Sequence, residues 1–269
     1  MPEIVPVADP ADPRIAAYRD VRERDLTGRE GHFIAEGEVV LRLLIRSPRH
    51  AAVSLLLAEN RVAKLAPLLA ELPDDVPVYA AAQPVLDAVA GFPLHRGILA
   101  LGRRAPLPSA DDLLAGLGPR ALVVALFGIG NHDNMGGIFR NAAAFGADAV
   151  LLDPTCCDPL YRKAIRVSVG ATLLVPTARL DGDPVALFER HGFTALALSP
   201  SGETVLAALS RPARAAVLFG SEGPGLPADL LARAHTVRIP MAGGFDSLNV
   251  ATTSGIVLHH LACAAVGTS

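Results

Sequence analysis

The sequence predicts an α/β protein with two domains, and three features of the chain support this prediction. Short apolar runs typical of strands alternate with helical patterns along most of the chain. The run at 121–127, ALVVALF, is apolar throughout, which is typical of a parallel strand buried on both faces. A stretch rich in Pro, Gly and charge, 103–120, lies between two series of such elements. Alternating strands and helices favour parallel sheets covered by helices.

The first series predicts a small α/β domain over residues 13–104, after a flexible lead-in of residues 1–12. Apolar spacing predicts helices and strands in alternation, with helices over 13–26, 37–45, 61–72 and 84–89 and strands over 32–35, 52–58, 76–80 and 97–101. Residues 105–118 are predicted to be a linker. Ser109, followed by Asp111 and Asp112, is a pattern typical of a helix start within that linker.

The second series predicts a mostly parallel sheet in a domain of residues 119–269. After the strand at 121–127, the pattern predicts strands over 149–152, 173–176, 194–198, 215–219 and 236–239, with helices over 135–145 and 184–191. A last helix, rich in small residues, is predicted to open at 247–249. In an open sheet of this kind, ligands bind beyond the carboxyl ends of the strands.

Charge and composition limit the classes of protein that the chain can be. The 269 residues include 24 Lys and Arg against 27 Asp and Glu, so the formal charge of −3 argues against holding nucleic acid by bulk charge alone. The adjacent Cys156 and Cys157 lack the spacing of a zinc or redox site, and no metal site is predicted. The sequence shows neither an apolar signal core nor a run of membrane-spanning length. We therefore expect a soluble, cytoplasmic protein that does not bind membranes.

Two loops rich in Gly and Pro follow predicted strands of the second domain. The strand at 215–219 runs into the loop at 220–225, and the strand at 236–239 runs into the loop at 240–244. Glycine lets the backbone approach a ligand closely, so the two loops together can form one pocket lined by main-chain groups. For either loop alone, an ordinary strand-to-helix turn is the favoured interpretation, since short glycine patterns often occur without a ligand.

A third segment of the second domain completes a recognisable set of motifs. The loop at 128–137, GIGNHDNMGG, has neither the G-x-G-x-x-G pattern of dinucleotide-binding proteins nor the Lys of a phosphate-binding P-loop. The overlapping segment at 134–142 has the form N-x-G-x-I-x-R-x-A. Together with VLFGSEGPGLP at 217–227 and IPMAGGFDSLNVA at 239–251, it resembles the three motifs of the SpoU (TrmH-like) RNA ribose 2′-O-methyltransferases of the SPOUT superfamily. The resemblance covers residues 119–266.

The resemblance implies a fold and an assembly. In this family the C-terminal stretch is threaded as a deep trefoil knot, a rare exception to unknotted topology, and the protein is an obligate homodimer. A small α/β RNA-binding domain precedes the catalytic domain in many members, and FIAEGEVV at 33–40 resembles it. Arg42 and Arg46, with Arg49 and His50 nearby, are its candidate contacts to RNA phosphate. A solvated helix face is an equally good interpretation of these residues.

The resemblance also implies S-adenosyl-L-methionine as the methyl donor and an RNA ribose 2′-hydroxyl as the acceptor. Ribosomal RNA is the expected substrate, and transfer RNA is the alternative because the family modifies both. Carried over residue by residue, the cofactor-binding positions are Leu218, Gly220, Gly225, Ile239, Met241 and Leu248. Arg166, in an R-x-S-x-G segment, is implied to contact RNA phosphate or the second subunit.

Five positions match the family's catalytic residues, namely Arg140, Asn134, Glu222, Ser247 and Asn249. Because an arginine side chain keeps its proton in proteins, we expect Arg140 to bind phosphate and stabilise a developing alkoxide rather than to act as a simple base. Asn134 is expected to orient the substrate or its loop, or to cap its helix. Glu222 is expected to order its loop or to pair with Arg140. Ser247 and Asn249 are expected to contact the substrate, to hold the loop or to cap the last helix.

One position departs from the family pattern. Many members have Ser where this chain has Ala251, and Thr252 and Thr253 follow it. The arginine, glutamate and asparagine of the three motifs are all present, which argues against an inactive relative. Two other function classes stay open. One is a non-catalytic RNA-binding or ribosome-assembly protein with the same fold. The other is a nucleotide-dependent oxidoreductase, which the missing dinucleotide pattern disfavours.

Overall fold

The chain divides into two compact units. The computed structural model describes residues 2–19, 31–243 and 247–263. The first unit comprises Met1–Pro106 together with Leu160–Leu174, and the second comprises Leu107–Pro159 together with Val175–Ser269. The predicted linker, 105–118, therefore spans the boundary at Pro106, as a stretch rich in Pro and Gly suggests.

The described residues form the following elements. The strands are β1 Ile4–Val7, β2 His32–Glu36, β3 Ala51–Ala58, β4 Val78–Ala81, β5 Ile98–Arg103, β6 Ala121–Leu126, β7 Ala149–Leu152, β8 Thr177–Arg179, β9 Thr194–Leu198, β10 Thr204–Val205, β11 Arg214–Phe219 and β12 His235–Arg238. The α-helices are α1 Glu38–Ile45, α2 Glu59–Leu69, α3 Gln83–Ala90, α4 Ala110–Ala115, α5 His132–Ala144, α6 Arg162–Val167, α7 Ala171–Leu174, α8 Pro184–Arg190, α9 Ala228–Leu231 and α10 Val250–Cys263. Short 3₁₀ segments lie at Pro13–Tyr18 and Leu206–Ala208.

The first unit is built on a mixed sheet with the strand order β1-β4-β3-β5-β2. β1, β4 and β3 are parallel, whereas β5 is antiparallel to both of its neighbours. Successive residues of a strand point to opposite faces of the sheet. Accordingly Phe33 packs in one core and Ile34 in the other, and Leu55 and Leu56 divide in the same way. Both faces of this sheet are therefore covered.

The start of the chain differs from the prediction of a flexible lead-in over 1–12. Ile4–Val7 forms β1 and pairs in parallel with β4, so that Ile4 lies opposite Val78. The pairing covers an edge of β4 that would otherwise expose its backbone hydrogen-bonding groups. The prolines of this stretch argue against a central strand, and for that reason the sequence analysis missed β1. Pro6 is tolerated here because β1 lies at the edge of the sheet.

The helix predicted over 13–26 is described as far as residue 19, and residues 20–26 lie outside the described part of the chain. Its described part is the 3₁₀ segment Pro13–Tyr18. Tyr18 is fully buried, and its hydroxyl lies 2.8 Å from Ser54 Oγ. The same hydroxyl accepts a hydrogen bond from Leu101 N–H at 3.2 Å. Burial raises the pKa of Tyr18, so the phenol stays neutral and fixes this segment against the sheet.

Residues Leu160–Leu174 pack with the first unit, whereas the sequence predicts one domain over 119–269. Leu160, Ile165 and Leu173 belong to the same buried core as Phe33. The strand predicted over 173–176 is wrong. Leu173 lies in the helical turn α7, and the strand is β8, Thr177–Arg179. An apolar run of four residues does not distinguish a buried helical turn from a strand.

An ion pair fixes the segment Leu160–Leu174 to the sheet of the first unit. Arg162 donates from Nε and Nη2 to Glu36 Oε2 at 3.1 and 2.8 Å. The two side chains are 19 % and 10 % exposed. The Arg162 guanidinium also lies 4.5 Å from the centre of the Phe92 ring. At the other end of the segment, Arg49 Nη2 donates to Leu173 O at 3.0 Å.

The second unit contains a seven-stranded sheet with the order β10-β12-β9-β11-β6-β7-β8. Each of its described pairings is parallel. On β6, Val123 and Ala125 face a core that includes Phe188, and Leu122 and Val124 on the opposite face are also fully buried. The predictions of an α/β class, a mostly parallel sheet and a strand buried on both faces are therefore confirmed. None of the described helices is both long and apolar enough to cross a membrane.

We predict that Arg162→Ala destabilises the protein strongly. The substitution leaves Glu36 with little exposure and without its partner, which typically costs about 3 kcal/mol of unfolding free energy. The measurement is equilibrium unfolding in urea. Arg190→Ala is the control, because it breaks an exposed ion pair with Asp111 and should leave the unfolding midpoint unchanged. Equal effects of the two substitutions would contradict the stabilising role of the Arg162–Glu36 pair.

We also predict a pH dependence that arises from His50. Its ring is buried edge-on against Phe33, and burial, with the charges of Arg49 and Arg104, lowers the pKa of His50 from 6.5 to about 4. Between these two pH values the unfolded chain takes up a proton that the folded chain does not, so stability is lost as the pH falls. The urea midpoint should therefore decrease between about pH 7 and 4.5. His50→Gln should show a smaller decrease, and an unchanged decrease would assign it to other groups.

Candidate functional site

A pocket of 560 Å³ lies in the second unit at the carboxyl ends of β9, β11 and β12. These strands are neighbours in the order β12-β9-β11, so the loops that follow them meet at one edge of the sheet. The lining residues come from 198–200, 219–226 and 247–250, with Leu231, Val237, Ile239, Met241 and Thr253. The volume falls within the range of sites for small organic molecules and cofactors.

The loop after β11 requires glycine at Gly220. A Cβ on Gly220 would lie 2.2 Å from the carbonyl carbon of Gly225 and 2.4 Å from Leu226 N. The loop folds back on itself at this point, since Gly225 N–H donates to Ser221 O at 3.1 Å. Gly223 has a φ of +89°, a conformation that residues with a side chain rarely adopt. The motif glycines therefore allow two stretches of main chain to touch at the wall of the pocket.

Three polar side chains from distant parts of the chain meet at the pocket. Asn134 Nδ2 donates to Glu222 Oε1 at 2.8 Å. Asn249 Nδ2 donates to Asn134 Oδ1 at 2.8 Å and to Glu222 Oε1 at 3.2 Å. Asn134 is buried, whereas Glu222 and Asn249 are exposed and line the pocket. The network connects the loop after β11 with α5 and with the start of α10.

Helix capping was one expected role for both Asn134 and Asn249, and the structure shows it for Asn249 alone. Asn249 Oδ1 accepts hydrogen bonds from Ala251 N–H and Thr252 N–H at 2.9 and 3.2 Å, so it caps α10 while its amide group holds Glu222. Asn134 does not cap α5. Asn131 occupies that position, and Asn134 lies within the helix with its side chain free for the network.

Helices α5 and α10 touch along a seam of small residues. A Cβ on Gly137 would lie 2.8 Å from Ala251 Cβ, so the two backbones approach closely. Asn141 Nδ2 donates to Ala251 O at 2.8 Å and to Ser254 Oγ at 3.0 Å. Asn141 and Ser254 are site-supporting residues that the sequence analysis missed. The signal was present, since positions 134, 137 and 141 share one face of a helix.

Arg140 lies on a different face of α5. It lies six positions after Asn134 in the helix, which places the two side chains about 120° apart around the helix axis. Arg140 is exposed, and its side chain makes no hydrogen bond or ion pair with the residues that the structure describes. Glu222 contacts Asn134 and Asn249 instead. The expected ion pair between Glu222 and Arg140 is therefore not formed, and Glu222 orders its loop through the two amides.

The structure brings most of the predicted cofactor-binding residues to one place. Those that line the pocket are Gly220, Gly225, Ile239, Met241 and Leu248, and the predicted catalytic residues Glu222, Ser247 and Asn249 line it with them. Leu218 does not. It is fully buried in β11 as part of the core of the second unit, because its side chain points to a helix-covered face of the sheet.

The sequence analysis missed the wall that follows β9. Leu198, Ser199 and Pro200 line the pocket next to the loops after β11 and β12. The strand at 194–198 was predicted, and the turn signal of Pro200 and Gly202 in the loop after it was present in the sequence but was not used. A Cβ on Gly202 would lie 2.5 Å from the carbonyl carbon of Val237, so this loop also needs its glycine. Thr253 also lines the pocket, and its hydroxyl donates to Asn249 O at 3.1 Å. Thr253 lies two residues after Ala251, the position that departs from the family pattern.

The predicted RNA-binding residues of the first unit differ in their surroundings. Arg42 Nη2 lies 3.3 Å from Glu38 Oε1, and Arg46 forms two hydrogen bonds of 2.7 and 2.6 Å with the carboxylate of Glu71. Their charges are therefore balanced locally. Arg166, by contrast, is exposed and lines a separate cleft of the first unit.

The adjacent Cys156 and Cys157 are not placed as reactive thiols. Burial raises the pKa of Cys156 to about 12 and that of Cys157 to about 11, so both remain protonated thiols. The described part of the chain contains no group of three or more His, Cys, Asp and Glu side chains that could hold a metal ion.

Known proteins are similar to this chain in sequence and in fold. The sequence profile of the SpoU rRNA methylase family matches residues 121–259. The chain is 41 % identical to an uncharacterized tRNA/rRNA methyltransferase of Mycobacterium bovis over 96 % of this chain and 91 % of that protein.

Solved structures extend the likeness to the whole fold. An RNA 2′-O ribose methyltransferase superposes with a TM-score of 0.76 at 25 % identity, covering 97 % of this chain and 100 % of that one. An AdoMet-bound rRNA methyltransferase from Sinorhizobium meliloti also superposes with a TM-score of 0.76, at 23 % identity, and covers 96 % of this chain and 97 % of that one. The profile match and the 41 % identical relative show that this chain belongs to the SpoU rRNA methylase family.

Proposed function

We propose that this protein is an S-adenosyl-L-methionine-dependent RNA methyltransferase that modifies a ribose 2′-hydroxyl of ribosomal RNA. The observation that supports this proposal most strongly is the pocket at the ends of β9, β11 and β12, where residues of the second and third motifs meet. Asn134 of the first motif reaches the same place through its hydrogen bonds to Glu222 and Asn249.

The pocket suits S-adenosyl-L-methionine in size and chemistry. Leu198, Val237 and Ile239 provide an apolar surface for an adenine ring. The folded loop at 220–225 provides main-chain donors and acceptors where a side chain at Gly220 would fill the space. When bound, the cofactor supplies a methyl group that is activated by the positive charge on its sulfur. The protein residues then have to hold the cofactor and place the acceptor oxygen in line.

Arg140 is the residue that we assign to the acceptor side. It is exposed, cationic and not engaged by a carboxylate among the described residues. A guanidinium binds a phosphate group through two parallel hydrogen bonds and keeps its charge. Arg140 therefore positions the phosphate beside the target ribose and stabilises the negative charge that develops on the 2′-oxygen.

Asn134, Glu222 and Asn249 act as one positioning unit. Two amide groups donate to the same carboxylate oxygen of Glu222, which orients the loop after β11 without neutralising the carboxylate. Ser247 lies beside Asn249 in the wall of the pocket. We assign Ser247 to contact with the substrate ribose or with the loop that surrounds it.

The substrate and the assembly are part of the same proposal. The family description names rRNA, the M. bovis relative is named for tRNA or rRNA, and the 2′-O ribose methyltransferase that shares the fold supports the ribose as acceptor. We further propose a homodimer with a knotted C-terminal stretch, active in the cytoplasm, because the motifs of the SpoU family are complete in this chain. Transfer RNA is the alternative substrate that the test below includes.

The position of methylation can be tested with a labelled methyl donor. Ribosomal RNA and transfer RNA that lack the modification are incubated with the protein and methyl-labelled S-adenosyl-L-methionine, and the products are hydrolysed in alkali. A methylated 2′-oxygen cannot attack the neighbouring phosphate, so label in alkali-resistant dinucleotides is expected from ribosomal RNA. Label in mononucleotides would show base methylation and contradict the proposal, and label in transfer RNA alone would correct the substrate.

Arg140→Ala should separate binding from transfer. We expect the rate of methyl transfer to fall by about 10³-fold, because removal of one group that stabilises developing charge in a transition state has an effect of that size. Cofactor affinity, measured by calorimetry, should stay in the micromolar range of the unmodified protein, roughly −8 kcal/mol. Arg190→Ala serves as the matched surface arginine. Unchanged transfer by Arg140→Ala would remove Arg140 from the site, and absence of cofactor binding in the unmodified protein would favour a non-catalytic RNA-binding protein.

Gly220→Ala should abolish cofactor binding, because its Cβ would overlap the main chain at Gly225. Gly223→Ala is the matched control, since a Cβ there meets nothing within 4 Å and the substitution costs only the strain of a positive φ. We expect at least a tenfold larger loss of affinity for Gly220→Ala in calorimetry. Similar losses for both variants would mean that loop flexibility, rather than the close contact, supports binding.

A further inference from the structure

A second cleft, of 390 Å³, lies entirely within the first unit and carries an unbalanced positive charge. We name it the arginine cleft. It is lined by Arg61 of α2, by His95 and Arg96 before β5, by Arg166 of α6, by Glu38, Val39 and Val40 of α1, and by Ile98 and Val169.

The three arginines of this cleft are available to a ligand. Within the described parts of the chain, the side chains of Arg61, Arg96 and Arg166 make no hydrogen bond or ion pair. Among the described residues of the lining, Glu38 is the one acidic side chain, and it already pairs with Arg42 and Lys64 at 3.3 Å each. Three neighbouring guanidinium groups without carboxylate partners favour an anion, and their geometry fits phosphate.

The floor and walls of the cleft are apolar. Val40 and Ile98 are buried at its base, each with 2 % exposure, whereas Val39 and Val169 are 55 % and 38 % exposed. Two exposed branched side chains beside three cations form a surface on which a sugar or base can rest while its phosphate is bound. An isolated inorganic anion would need no such surface.

Val169 is held in a conformation that valine disfavours. Its φ is +54°, and all other described residues with a positive φ are glycines. It occupies the position after α6 where glycine normally ends a helix, with Val169 N–H donating to Arg166 O at 3.1 Å and Gly170 N–H to Ile165 O at 2.9 Å. A β-branched residue kept exposed at a strained position is typical of a functional contact.

The segment that carries Arg166 and Val169 is held firmly against the rest of the first unit. The Arg162–Glu36 ion pair fixes its beginning, and Gly170 lets it approach α1, because a Cβ there would lie 2.8 Å from Leu43 Cδ1. The cleft is therefore shaped before any ligand arrives, which lowers the entropic cost of binding.

We propose that the arginine cleft binds a phosphodiester of the RNA substrate, with the adjoining nucleoside resting on Val39 and Val169. The proposal rests on the proposed function for the identity of the polymer. It explains how a chain of net charge −3 can hold RNA. Three arginines are concentrated in one cleft, and Glu38 is the one acidic residue among its described lining residues. The proposal also places the RNA contact at Arg61, Arg96 and Arg166 rather than at the balanced Arg42 and Arg46.

The test is fluorescence anisotropy of the full-length protein with a labelled single-stranded 16-mer oligoribonucleotide of mixed sequence. We expect Arg61→Gln/Arg96→Gln to weaken binding by about tenfold or more and to reduce the salt slope by about 1 to 2. The control, Arg190→Gln/Arg233→Gln, removes two exposed arginines that are paired with Asp111 and Asp183 and should change affinity less than about twofold. Equal losses from the two double variants would overturn the proposal.

Val169→Gly tests the apolar wall without reducing stability. Glycine suits the positive φ, so the melting temperature should be no lower than that of the unmodified protein, while RNA affinity should fall by about threefold. Unchanged affinity would restrict the site to the arginines and overturn the contact with Val169. A labelled oligoglutamate peptide that binds the cleft more tightly than the RNA would overturn the choice of RNA in favour of an acidic protein surface.

The outcomes separate this proposal from the proposed function. If the protein transfers methyl groups but its RNA affinity does not depend on Arg61 and Arg96, only the proposal for the arginine cleft is contradicted. RNA binding through the cleft without cofactor binding or methyl transfer would contradict the proposed function and leave the cleft in place.

Discussion

The hydrogen bonds of Asn134 hold together segments that lie 88 and 115 residues away in the chain. An amide both donates and accepts, so Asn134 can satisfy Glu222 and Asn249 at once in a single arrangement. Because Asn134 is buried, an unpaired amide there would cost about 1–3 kcal/mol, which makes the arrangement specific. The loop after β11 and the start of α10 are thereby fixed in position, and the walls of the pocket depend on both.

Close packing of α5 and α10 makes this network possible. Gly137 lets the helices approach until its main chain meets Ala251, and Asn141 then binds Ala251 O and Ser254. A larger residue at Gly137 would push α10 away and lengthen the bonds that Asn249 makes. Ala251, which departs from the family pattern, belongs to this seam, where its small side chain lies against Gly137.

In the function that we propose, RNA recognition and methyl transfer have different physical demands, and separate groups of residues meet them. Among the described residues that line the pocket of the second unit, Glu222 is the one with a charge, and the others offer main-chain groups and apolar surface. The arginine cleft of the first unit concentrates Arg61, Arg96 and Arg166, although the chain as a whole is acidic. A local positive cluster on an acidic protein limits non-specific attraction to nucleic acid while it retains a strong contact at one place.

The sequence by itself determined the class of fold, most strands and helices and the two loops rich in Gly and Pro, because hydrophobic period and glycine spacing are local properties. The asparagines and the glutamate of the site were implied by the resemblance of three short motifs to the SpoU family. The tertiary structure decided which of these residues meet. It paired Glu222 with Asn134 and Asn249 rather than with Arg140, and it gave the segment Leu160–Leu174 to the first unit. Side-chain pairing and strand neighbours depend on contacts between residues far apart in the chain, and no local pattern records such contacts.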